Sequence, residues 1–169
     1  MQAIKDYLVP FIISNILFVL SIVAATKRPK WARAFLAAFF LWASLTNLSY
    51  AISRPEIYLE YGKLTFLPFY EDFINGYFSQ HITQLVSLIA FFQMAIFIGI
   101  LLNKFWVRLA SIGGMIFGMA IAPLGVGSAF PSTVFMAISF LILYFSKDQD
   151  FIWKKSKPFL RDNMKAGTQ

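Results

Sequence analysis

Asn47, Tyr50 and Arg54 are spaced by three and four residues, and His81, Gln84 and Ser87 follow one another at steps of three. On helices each set shares a face, the second drifting slowly around its axis. Asn47, Tyr50, Arg54, His81 and Gln84, with Tyr70 and Gln93, are the candidate ligand-binding side chains: amides and phenols that orient a molecule by hydrogen bonds, with one arginine and one histidine able to carry charge. They do not form a reaction centre. No nucleophile stands beside a base, no phosphate-binding loop occurs, and Glu71 and Asp72 are adjacent, so on a helix they point about 100° apart. The chain has no cysteine and one histidine. Disulfides and thiolate clusters are thereby excluded, and zinc or bis-histidine haem sites within one chain are not expected. The residues lean towards a non-catalytic role, with no metal, no cofactor and no catalytic residue.

The elements that must position these residues are five apolar runs, at 7–25, 34–52, 82–102, 107–124 and 129–145. Each is about 17–21 residues long, near the roughly 20 that a helix needs to cross a hydrocarbon core. In a chain of 169 residues that is 59% hydrophobic and 14% charged, little is left for a soluble module, so residues 1–169 read as a single membrane domain. Lys27, Arg28, Lys30 and Arg33 fill the first gap without an acid; Arg54 and Lys63 in the second face Glu56, Glu60, Glu71 and Asp72. Lys104 and Arg108 follow in the third gap, the fourth is uncharged, and the tail 146–169 has six bases against three acids. Basic residues are kept on the cytoplasmic side, so the predicted fold is an all-α polytopic bundle of five transmembrane helices, N-terminus out and C-terminus in. The +7 charge then belongs to cytoplasmic flanks facing anionic headgroups; membrane lipids, not nucleic acid, are the expected partners. Val23-Ala24-Ala25 loosely suits a signal-peptidase site, but Asp6 cancels Lys5 and cleavage would leave the most basic loop at the exported end, so a retained first helix is expected.

The outer segment 53–80 holds Tyr58, Tyr61, Phe66, Phe69, Tyr70, Phe73, Tyr77 and Phe78, too aromatic for a plain solvated loop. Pro55 is placed to start a short helix and Pro68 a second. The segment should lie on, or dip into, the outer face of the bundle. Two prolines and two glycines between residues 122 and 131 break the helix, most simply as an outer turn between two crossings. Trp31, Trp106 and Trp153 suit the cytoplasmic headgroup layer, and Phe151 to Lys155 reads as an interfacial anchor, with a loosely ordered end beyond Pro158.

For Asn47 and Gln84 two readings stand: bonds between neighbouring helices, or the wall of a ligand pocket. Gln93 is deep in the third run and has the best placement for function, with helix packing its alternative. His81 reads as a polar tip in the headgroups or a proton-carrying group. Arg54 opposite Glu71 or Asp72 would make an ion pair. The small-residue spacing of Gly114 and Gly118, widened by Gly113, permits close helix approach, more simply within the bundle than in a dimer.

From Arg33 onward the order of features resembles the DoxX-like family of small bacterial membrane proteins. An arginine leads into a Phe-rich helix (Phe35, Phe39, Phe40), with Asn47 near its outer end and Leu67-Pro68 in the outer segment. Then come Ile89-Ala90-Phe91-Phe92-Gln93-Met94, Gly99-Ile100-Leu101-Leu102 and Arg108-Leu109-Ala110. The resemblance covers about 115 of the 169 residues. It implies a four-helix core, here with an extra N-terminal helix, in a bacterial cytoplasmic membrane and in some members an association with quinone-linked oxidoreductases. Members often carry a glutamate where Gln93 stands, and an amide cannot exchange a proton there. The expected function is an outward-facing pocket for a small hydrophobic ligand, a quinone or a lipid. The alternatives are an accessory subunit docking on a redox partner protein, and a small transporter or outer-leaflet enzyme using His81 with Glu71 or Asp72.

Overall fold

The computed structural model describes residues 2–154, so the tail beyond Lys154, with the loose end expected past Pro158, lies outside the described residues. Five principal helices form where the apolar runs predict them. Helix α1 is Gln2–Lys27 and α2 is Pro29–Ser53, with Pro29 at its first turn, where a missing N–H is tolerated. The aromatic segment follows as a 3-10 turn Pro55–Glu60, the one-turn helix α3 at Tyr61–Leu64, α4 at Pro68–Phe73 and a wide π turn Ile74–Phe78. Pro55 and Pro68 each open their element, as their sequence positions predict. Helix α5 is Ile82–Leu101, α6 is Lys104–Ile121, a 3-10 segment runs Ala122–Ser128, and α7 is Ser132–Phe145. No strand occurs among the described residues.

Four helices, beginning at Leu8, Pro29, Ile82 and Lys104, are long and apolar enough to cross a membrane. The fifth run is helical over fewer residues than its apolar length suggests. Ala129 takes a left-handed backbone (φ 57°) and Pro131 precedes the first turn, so α7 starts at Ser132 and has 14 residues. At 1.5 Å per residue it spans about 21 Å.

The helices close into a ring in the order α1, α2, α5, α6, α7 and back to α1, and the α1–α2 seam is the thinnest of the five. Phe18 of α1 is in the core, edge-on to Phe35 and Phe39, and Ser21 Oγ donates to Ser139 Oγ at 3.0 Å. The first helix is thus part of the packed bundle. Gly114 and Gly118 face α7: a Cβ on Gly114 would sit 2.3 Å from the Phe140 ring, and one on Gly118 would sit 2.7 Å from the Thr133 carbonyl. The small-residue face serves this seam, so the close approach it permits is within the bundle.

One end of the ring is basic, with Lys27, Arg28, Lys30, Lys104 and Lys147 at helix ends. At that end Arg33 is fully buried. Its Nε donates to the Ile100 carbonyl at 2.8 Å, Nη2 to Leu102 at 2.6 Å and Nη1 to Asp150 at 2.6 Å. The guanidinium fork therefore satisfies carbonyls left over at the end of α5 and holds the chain after α7 across it. Gln149, also buried, donates from Nε2 to the Leu143 and Tyr144 carbonyls, while its own carbonyl accepts the Lys104 N–H at 2.7 Å. Trp153, stacked on Phe151, stays exposed beside this knot.

Replacing Arg33 by Met should destabilise the protein by roughly 3–5 kcal/mol, because three carbonyls lose a charged donor together. Arg33→Lys should recover only part, since an ammonium cannot span the same fork. Thermal unfolding in detergent measures both; a Met variant that melts with the wild type would contradict the role given to this residue.

Candidate functional site

At the end opposite Arg33 the ring widens into a cavity of about 630 Å³. Asn47 and Tyr50 from α2, Gln93 from α5, Phe117 from α6, and Thr133 and Met136 from α7 stand on its walls, with Ser14 and Phe18 from α1. Behind Phe117 the core closes: Phe40 packs on Phe117 and Phe140, ring centres 5.6 and 5.5 Å apart, and both Phe40 and Phe140 are fully buried. The aromatic segment supplies the roof through Tyr58, Tyr61, Tyr70, Phe73 and Phe78. It thus lies on the bundle end, as its composition predicts.

Three hydrogen bonds fasten the roof to the end of α6 and the Pro/Gly segment that follows it. Thr65 Oγ1 donates to the Pro123 carbonyl at 2.7 Å, the Phe66 N–H to the same oxygen at 3.2 Å, and the Tyr70 hydroxyl to the Ala120 carbonyl at 2.8 Å. Gly125 is required twice over: its φ is +64°, and a Cβ there would meet the Leu64 carbonyl at 2.6 Å.

A polar chain runs along the cavity wall. The Tyr58 hydroxyl donates to Asn47 Oδ1 at 2.9 Å, and Asn47 Nδ2 donates to Gln93 Oε1 at 2.9 Å. Its direction is set by Tyr58, whose other acceptor within reach is the Asn47 carbonyl at a weak 3.4 Å. Both amide oxygens therefore already accept one hydrogen bond each. The Gln93 side chain is 1% exposed, and its amide nitrogen has no protein partner among the described residues. Thr133, 4% exposed on the facing α7 wall, has a buried hydroxyl that also lacks one. No Asp, Glu, Lys, Arg or His among the described residues stands on the wall. Among the described residues no three His, Cys, Asp or Glu side chains come together anywhere.

Of the seven residues singled out from the sequence, Asn47, Tyr50, Tyr70 and Gln93 meet at this cavity, and Arg54, His81 and Gln84 do not. Gln84 and Gln93 are nine residues apart, about 180° around α5, so one faces in and the other out. Arg54 caps α2 with an extended backbone (φ −151°) that takes it off the helical face, and it is exposed. The ion pair expected between Arg54 and Glu71 or Asp72 is not formed among the described residues. His81 precedes α5, its ring stacked on Tyr77 at 4.3 Å and its Nδ1 3.0 Å from the Tyr77 carbonyl. Tyr58 and Thr133 are cavity residues that the sequence reading did not select. Tyr58 is one of eight aromatics in its segment, and Thr133 sits where the Pro/Gly break obscures the helix start. Asn15, the other deep amide, donates to the Phe11 and Ala129 carbonyls and so ties α1 to the turn before α7.

No known protein family, curated protein or solved structure matches this chain.

Burial, and then the neighbouring Tyr61 and Tyr50, push the Tyr58 phenol up from 10.0 to about 12. The folded protein holds this proton more tightly than the unfolded chain does. Its contribution to stability is complete below the unfolded value and is lost as pH rises through the folded one. Melting temperature should therefore fall between pH 10.0 and about 12, and Tyr58→Phe should flatten that fall. Parallel wild-type and variant profiles over this window would contradict the assignment.

Proposed function

We propose that this chain is an integral protein of a bacterial cytoplasmic membrane, and that it binds one small hydrophobic molecule, a quinone or a lipid, without transforming it. The observation that carries this reading is the cavity itself: about 630 Å³, uncharged, aromatic, with a hydrogen-bonded amide chain at one point of its wall. Such a site fits a largely apolar ligand whose single polar end needs orienting. In the same reading α7 is the fifth crossing, the N-terminus is outside and the basic end is cytoplasmic. The gathering of Lys27, Arg28, Lys30, Lys104 and Lys147 at one end, with Glu56, Glu60, Glu71 and Asp72 at the other, supports that orientation. The cavity then opens at the outer half of the bundle. The resemblance to the DoxX-like proteins points the same way, with Asn47 and Gln93 as the polar pair at the site.

Native mass spectrometry of protein purified in mild detergent tests the reading. The chain should carry a copurifying lipid or quinone, or take up added decyl-ubiquinone. Ala43→Phe, which puts a ring into the cavity, should abolish uptake, and Gln93→Leu should weaken it about tenfold, the worth of one hydrogen bond. A protein that is bare as purified and takes up no quinone would sink the proposal.

A further inference from the structure

Trp42 is the least expected residue on the cavity wall. It sits at the middle of α2, thirteen residues after Pro29 and eleven before Ser53, where a tryptophan has no headgroup layer to occupy. It lines the cavity and is nevertheless 62% exposed on the outside of the bundle. One side chain reaches both only where the wall is breached. The seam beside it with the sparsest packing is α1–α2, where the edge-on pair Phe18 and Phe39, 5.0 Å between centres, is a principal ring contact and Phe39 lies one turn before Trp42 on α2. On the roof side the aromatic segment is fastened to the end of α6, so that route is closed by hydrogen bonds.

We infer that the cavity is loaded sideways from the hydrocarbon layer, past Trp42 between α1 and α2, and that its ligand has a neutral head bearing a hydrogen-bond acceptor such as a ketone, quinone or ester carbonyl. This rests on the ligand-binding reading above. The head chemistry follows from the donors on the wall. The Gln93 amide nitrogen makes no hydrogen bond among the described residues, and the Thr133 hydroxyl, also on the wall, has no partner there. A donor without an acceptor is costly, and a carbonyl oxygen on the ligand head would supply one. A carboxylate, phosphate or ammonium head would meet no counter-charge on this wall and would lose its hydration for nothing in return. A mid-depth opening adds a second consequence: an apolar tail too long for the cavity can stay in the bilayer while the head is bound.

The test uses the full chain in lipid nanodiscs with Trp31, Trp106 and Trp153 replaced by Phe, leaving Trp42 as the reporter. Three probes share one benzoquinone head, which quenches indole fluorescence: free decyl-ubiquinone, the head linked to the acyl-chain end of phosphatidylcholine, and the head linked to a long polyethylene glycol that stays in water. Free and lipid-linked heads should give saturable quenching that Ala43→Phe removes, leaving only the linear collisional part. The polymer-linked head should give none. Saturable quenching by the polymer-linked head, or by the free head but not the lipid-linked one, would overturn sideways loading while leaving the pocket intact. Failure of all three heads to quench saturably, with no quinone uptake in the mass spectra, would remove the pocket itself. For the head chemistry, Gln93→Leu combined with Thr133→Val should weaken the free quinone at least tenfold and leave decyl-benzene unchanged. Equal loss for both probes, or none for the quinone, would overturn the acceptor assignment.

Discussion

A guanidinium buried against three backbone carbonyls fixes the register of the helices that the cavity is cut into. The last carbonyls of α5 have no partners in their own helix, and away from water they must find donors elsewhere. Arg33 supplies them from the start of α2, and its positive charge also suits the negative end of the α5 dipole. The positions of the two antiparallel helices are then matched along their length. From the Arg33–Ile100 contact, eleven residues along α2 and ten back along α5 bring Ser44 Oγ to the Ala90 carbonyl at 2.7 Å. Seven further residues on each helix bring Thr83 Oγ1 to the Ala51 carbonyl at 2.9 Å. Asn47 meets Gln93 across the first of these rungs, three residues beyond Ser44 on α2 and three residues to the Arg33 side of Ala90 on α5. Slide α2 by one residue and the amide at the cavity wall is rotated by about 100° away from its partner.

The other end of the bundle is assembled by different means. Side-chain and backbone donors from residues 65 to 70 reach carbonyls at Ala120 and Pro123, which the turn from α6 into its 3-10 continuation leaves open to them. Gly125 and Gly127 keep that surface free of side chains, so Leu64 and Tyr61 can rest on it directly. Tyr58, Tyr61, Tyr70, Phe73 and Phe78 then line the cavity, while Phe66, Phe69 and Tyr77 stay exposed on the outside of the segment. Rings on both sides, several with a phenol, suit a segment at a boundary between water and an apolar layer.

The helices and their order were legible because an apolar run about 20 residues long needs no tertiary information to be recognised. Pro55 and Pro68 were legible for a similarly local reason, the fixed φ of proline at a helix start. Arg33 was read as one of four charges marking a side of the membrane. Nothing local separates it from Lys30 or Arg28, because its difference lies in carbonyls 67 and more residues away. The polar stripe of α5 was half legible. Steps of three from His81 to Ser87 describe one face, but turn per residue already places Gln84 opposite Gln93, and only one of the two can look inward. Tyr58 and Thr133 depended on how irregular segments fold back, and short-range pattern is silent there.

A cavity of this size constrains its own surroundings. A closed void of this size would be costly in a packed interior, whereas a pocket of about 630 Å³ that is open to its surroundings can take up material from them. A wall this apolar offers water few partners, since a trapped water needs at least two or three hydrogen bonds. Apolar chains or rings suit such a wall, and a bilayer supplies them at high local concentration. Packing between helices in lipid gains nothing from the hydrophobic effect, so no such force squeezes the space shut. The register set by Arg33 and the roof held at Pro123 brace it. Under the proposal of sideways loading, the thin seam beside Trp42 is what keeps an apolar pocket in contact with the material that fills it.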